Sequence, residues 1–174
     1  MAARTKANPR WLRSTSDTFQ QIDPLGHLGD GDAVWAAGEF LRKASDGLLY
    51  ECATSGTSIV ASAITHWALT DHLTADTGDD TVKHVVADVL AEDVWEMNLY
   101  NNATMAATAR GLEYGMNVSS GVVCTLTTSE TTYTPLRIVN PAWNERLYQD
   151  DSADTYPRIA VQVLQTYIDA KPTT

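Results

Sequence analysis

Cysteine is scarce in this chain. Cys52 and Cys124 are the only two among 174 residues, and no CxxC spacing pairs either with a neighbour. They read as two free thiols made in a reducing compartment; a disulfide between them has no support in the pattern. The scarcity does not prevent folding, because a domain of this length buries about 70% of its unfolded surface without metal or disulfide. Long apolar runs are missing as well. No stretch reaches 18 apolar residues, so no transmembrane helix and no membrane partner are expected. "MAARTKANPRWLRSTSD" carries basic residues but no apolar segment, so it is not read as a secretory signal.

Basic residues are few, 12 against 22 acidic, and unevenly placed. Arg4, Lys6, Arg10 and Arg13 give the first 16 residues a charge of +4; the remaining eight basic and 22 acidic residues give −14. An acidic body is a poor phosphate binder, so no nucleic-acid partner is expected for it. The basic segment is open to three readings, a solvated tail, a contact with nucleic acid, or a contact with an acidic protein surface. Trp11, Leu12 and Phe19 weigh against pure solvation, since aromatics in a tail usually pack against something.

The familiar catalytic patterns are absent too. There is no GxSxG, no Walker or dinucleotide glycine pattern, and "GDGD" precedes neither a buried strand nor an amphipathic helix. His66 and His72 share a stretch with Asp71, Asp76, Asp79 and Asp80, but neither HxxxH nor the alternating acids of a calcium loop occurs, so no metal site is expected. Cys52 and Cys124 lie in strand-like runs and read as small buried side chains rather than nucleophiles. Asn102-Ala-Thr and Asn117-Val-Ser match glycosylation sequons outside any secretory context. No catalytic residue and no cofactor is expected, and the chain does not read as an enzyme.

What remains is a strand pattern. "GEFLRKASDGLLYECAT" places Asp-Gly between two short runs, a hairpin signal. "SIVASAI" follows, then "THWALTDHLTADTGDD" (65–80) as a long polar connection, then the β-branched run "TVKHVVADVL". In "DVWEMNLY", Trp95, Met97 and Leu99 alternate with Glu96 and Asn98, which is period two. "EYGMNV" and "VVCTLTT" flank Ser119-Ser120-Gly121 as a second hairpin. "TTYTPLRIVNP" is a strand broken or edged by Pro135, and "RIAVQVLQTYI" closes the domain. Asn102 is a suitable N-cap for a two-turn helix over 103–110, with Gly111 as its left-handed stop. The expectation is an all-β fold, a barrel or sandwich of about eight short strands, with one short helix. An extended N-terminal arm (1–33) precedes the β domain (34–170), and a tail (171–174) follows it.

The order "AGEFLRKASDGLLYECA", "TSIVASAI", "DVWEMNLYNNATMAATARGLEYGM", "YTPLRIVN", "DTYPRIAVQVL" resembles the capsid decoration, or cement, proteins of tailed bacteriophages, which are small β-barrel head proteins. The resemblance covers about residues 34–168 and is one of pattern and order. It implies a non-enzymatic virion protein, assembled in the host cytoplasm and placed on the capsid exterior. Such a protein binds the expanded icosahedral shell, bridges major capsid proteins, and is often a homotrimer. On that reading Arg4, Lys6, Arg10, Trp11, Leu12, Arg13 and Phe19 form a capsid-docking arm. Trp67, Trp143 and Tyr148 are then intersubunit or loop contacts. The competing expectation is a host-recognition or carbohydrate-binding β module, in which those three aromatics stack on sugars.

Overall fold

The computed structural model describes residues 9–14, 20–52, 64–72, 82–99, 110–119, 123–127, 132–139 and 158–168. In chain order the strands are β1 (Arg10–Ser14), β2 (Ile22–Leu28), β3 (Phe40–Lys43), β4 (Leu49–Glu51), β5 (His66–Ala68) and β6 (Lys83–Asp88). They continue as β7 (Asp93–Leu99), β8 (Glu113–Ser119), β9 (Val123–Thr127), β10 (Leu136–Ile138) and β11 (Arg158–Val163), followed by one helical turn, α1 (Gln165–Ile168). The fold is all-β, as its alternating runs predict, with eleven strands among the described residues rather than about eight.

Local chemistry sets the hairpins. β3 and β4 pair antiparallel, with Leu41 opposite Glu51 and Lys43 opposite Leu49. Gly47 occupies the left-handed region at φ 88°, where a side chain is strained. Asp46 Oδ1 accepts the Leu48 amide at 2.9 Å, the short-range bond that makes Asp a turn former. β8 and β9 form the second expected hairpin, registered from Gly115 opposite Thr127 to Ser119 opposite Val123. β10 starts directly after Pro135, consistent with a residue that cannot donate to a ladder.

Two sheets result. One runs β1-β7-β11-β10-β8-β9, and the other β2-β6-β5-β3-β4. In the first, β9 also returns to β7 by a parallel pairing at Asn98–Thr125 and Leu99–Leu126. The other strand along that edge of β7 is β1, over Asp93 to Glu96. Two residue pairs make a short seam, so the sheet curls around its core without a long closing ladder.

The sheets share a core built from alternate residues. Phe40 of β3 meets Trp95 of β7 with ring centroids 5.0 Å apart, and Trp67 of β5 meets the same indole at 5.1 Å. Cys52, Ile64, Val89, Met97, Met116, Leu136, Ile138, Ile159, Val161 and Val163 complete this cluster. The next residues along, Leu41 and Ala68, point the other way and join Ala33, Trp35, Leu49 and Val86 in a second cluster. β3 is therefore buried on both faces, which is why Phe40-Leu41 is a continuous apolar pair rather than an alternation.

Three expectations are corrected. Residues 1–33 are not all arm, because β1 pairs with β7 and β2 with β6, and both are strands of the two sheets. Edge pairing satisfies backbone N–H and C=O groups whatever the side-chain pattern, so these strands leave no periodic signature. Residues 65–80 are not a plain connection either, since β5 lies inside the second sheet between β3 and β6. The closing run ends as a strand at Val163 and becomes the turn α1, whose Tyr167 hydroxyl accepts the Thr134 amide at 2.9 Å. The helix expected over 103–110 lies outside the described residues apart from its last position; Gly111 has the expected positive φ of 80°. "SIVASAI" before Ile64 and the tail 171–174 also lie outside them. Among the described residues no helix is long and apolar enough to cross a membrane.

Candidate functional site

All four histidines fall into two pairs of tilted, touching rings associated with the second sheet. His72 and His84 meet at 4.5 Å, and both contact the Trp35 ring, at 4.5 and 5.0 Å. This inner pair is buried. His27 and His66 meet at 4.8 Å nearer the surface. They open onto a notch of about 460 Å³ lined by Gln21, Ile22, Asp23, Pro24, His27, His66 and Asp88.

The notch is built by a bulge in β2. Ile22 and Asp23 pair with Ala87 and Val86, and His27 and Leu28 pair with His84 and Lys83, but the register shifts between them. Two residues make the shift. Asp23 Oδ1 accepts the Leu25 amide at 2.8 Å. Gly26 stands at φ 70°, where a Cβ would come within 2.9 Å of the His84 carbonyl oxygen, so only glycine fits without backbone movement. The bulge pushes Leu25 outward to 79% exposure, with Ile22 beside it at 52%.

Both rings of the outer pair have polar neighbours on each side. Thr65 Oγ1 accepts the Lys43 amide at 3.0 Å and lies 2.7 Å from His66 Nδ1. On the other side of the ring, His66 Nε2 lies 3.6 Å from Asp88 Oδ1. Lys43 Nζ, a pure donor, stands 3.4 Å from His27 Nδ1, and His27 Nε2 faces Asp23 Oδ2 at 3.1 Å. Burial pushes the His66 imidazole down to about 4, with the charges of His27 and Lys43 adding to it. At neutral pH His66 is accordingly uncharged.

The expected arm residues are largely engaged within the chain. Arg10, Trp11, Leu12 and Arg13 lie on β1. Arg10 Nη2 donates to Glu96 Oε2 at 2.7 Å, and Arg158 Nη1 donates to the other oxygen of the same carboxylate. Burial alone would raise the Glu96 carboxyl, but the hydrogen bonds from Arg158 and Arg10 outweigh it and hold it below its usual range. Trp11 Nε1 donates to Asp93 Oδ1 at 3.0 Å, and its ring packs against the main core. Leu12 is half-buried. Trp67 is not a loop contact: its ring packs on the core and Nε1 donates to the Pro9 carbonyl at 3.2 Å. Arg4, Lys6, Phe19, Trp143 and Tyr148 lie outside the described residues.

The Glu96 clamp gives a stability prediction. Glu96→Ala strands the partly buried Arg158, whose side chain is 25% exposed, and is expected to cost about 2–3 kcal/mol, below the loss from a fully buried pair. Arg10 is 63% exposed, so Arg10→Ala is expected to cost less than about 1 kcal/mol. Urea unfolding of both variants checks the ordering.

Sequence reasoning missed the notch because His27, His66 and Asp88 stand on three different strands. The Gly26 turn was the one local signal. No group of three or more His, Cys, Asp or Glu among the described residues is placed to hold a metal ion. Cys52 is a buried thiol pushed up by that burial, with no tendency toward thiolate chemistry. No protein-family model, curated protein or solved structure matches the chain.

Proposed function

We propose that the chain is a structural virion protein that binds the outer surface of an icosahedral phage capsid and bridges major capsid proteins, acting as a homotrimer. The observation that carries this reading is the β2 edge. Two of the three large apolar side chains exposed among the described residues, Ile22 and Leu25, sit on one bulge. That bulge is held by a glycine turn and an Asp23 hydrogen bond, so docking it orders little new structure and loses little entropy. Proline and a register shift also make β2 a poor template for strand addition, which favours side-chain docking over edge-to-edge growth. Many identical copies on a shell need only modest contacts each. The order of strand motifs that resembles cement proteins supports the same reading. The sugar-binding alternative is weakened at Trp67, whose ring lies in the core.

Co-sedimentation with expanded shells of the encoding phage tests the proposal. The intact protein is expected to sediment with shells, and Leu25→Asp to weaken binding by roughly tenfold or more, the scale of a central apolar contact. At 79% exposure Leu25 can change without unfolding the domain. No co-sedimentation of the intact protein would overturn the shell reading. Truncation should stop at residue 8, since removing more would delete β1.

A further inference from the structure

Two carboxylates line the notch. Asp23 and Asp88 face it from β2 and β6, Lys43 approaches it from β3 behind His27, and the His66 ring between them is uncharged at neutral pH. Two carboxylates are thus set against one ammonium, and that ammonium is turned toward His27 Nδ1. Asp88, 47% exposed, has its nearer oxygen 3.6 Å from His66 Nε2, too far for a hydrogen bond. Its acceptor capacity is left open toward the notch. Ile22 and Pro24 form an apolar lip beside these acceptors.

We propose that this notch receives an arginine side chain presented by a partner protein. The aliphatic stem of arginine would lie along Ile22 and Pro24 while its head reaches the carboxylates. Asp23 and Asp88 stand on different strands, and a planar guanidinium with five donors can bond both at once. A lysine ammonium, a compact point charge, matches such a divided pair less well. The bulge that exposes Leu25 places an apolar contact next to the ionic one. The inference deepens the shell reading by naming what the partner presents at the β2 edge, but the notch can be tested without a shell.

The probe is a tri-arginine peptide with blocked termini, titrated at neutral pH and low salt into the full-length 15N-labelled protein. The expected result is saturable movement of the His27 and His66 imidazole signals. Asp88→Asn is expected to weaken the peptide at least about tenfold, as loss of a charge-assisted acceptor should. Glu113→Gln removes an equal charge on the other sheet, where Glu113 pairs with Arg137, and is expected to change the affinity less than about twofold. Unmoved histidine signals overturn the proposal. So does equal weakening by the two substitutions, which would mark general attraction to an acidic protein. A normal titration with no shell binding sinks only the capsid reading; shell binding with silent histidines sinks only the notch.

Discussion

Replacing Glu39 by glutamine is expected to stabilise the protein at pH 8 by roughly 2–4 kcal/mol and to leave it nearly unchanged near pH 4.5. Glu39 precedes β3 and is 1% exposed. Burial pushes its carboxyl up to about 8, against the pull of the Ala36 amide, and the carboxylates of Glu51 and Asp71 push the same way. The folded protein therefore keeps a proton that the unfolded chain gives up above its ordinary value of 4.5. Between those two values the unfolded state binds fewer protons, so stability falls as pH rises and levels off above about 8. At about 1.4 kcal/mol per unit the full window is worth ~5 kcal/mol, an upper figure because local relaxation lets water reach the ion. Glutamine keeps the oxygen that accepts the Ala36 amide at 3.0 Å and cannot ionise. Urea unfolding of both proteins at pH 5 and pH 8 measures the difference. A gap of equal size at the two pH values would show that ionisation of Glu39 is not its source.

Trp95→Ala is expected to cost about 3–5 kcal/mol, the loss typical of a large aromatic removed from a core. The indole is fully buried where the two sheets meet, edge-on to both Phe40 and Trp67. Its removal loosens the joint between the sheets as well as one strand. Trp95→Phe is expected to be much milder, within about 1.5 kcal/mol. Nε1 of Trp95 is buried without a hydrogen-bond partner, and phenylalanine removes that unsatisfied donor while keeping most of the ring contact. Denaturant midpoints of the two variants decide it. A phenylalanine variant as unstable as the alanine variant would mean that indole volume alone, not aromatic contact, sets the joint.

The same two residues separate what is local from what is not. The period-two pattern of 93–99 predicts that Trp95 and Met97 face one side, and they do, in the main core. That pattern could not show that Glu96, on the opposite face, would also be buried, because its burial comes from Arg10 and Arg158 on two other strands. Glu39 carries no sequence sign of a raised carboxyl, since its burial depends on where the hairpin that follows is packed.

By itself the sequence determined the all-β class and the hairpins at Asp46-Gly47 and 119–123. It also determined the core-facing side of β7. These rest on side-chain alternation and, at Asp46-Gly47, on a turn conformation that adjacent residues specify. Tertiary structure alone decided that residues 10–14 and 22–28 are sheet edges and that Trp67 belongs to a three-residue internal strand. It alone brought His27, His66, Asp23 and Asp88 around one notch. Strand pairing is made by backbone groups that every residue carries, so the choice of partner is settled by what else must be buried, over separations that no local pattern records.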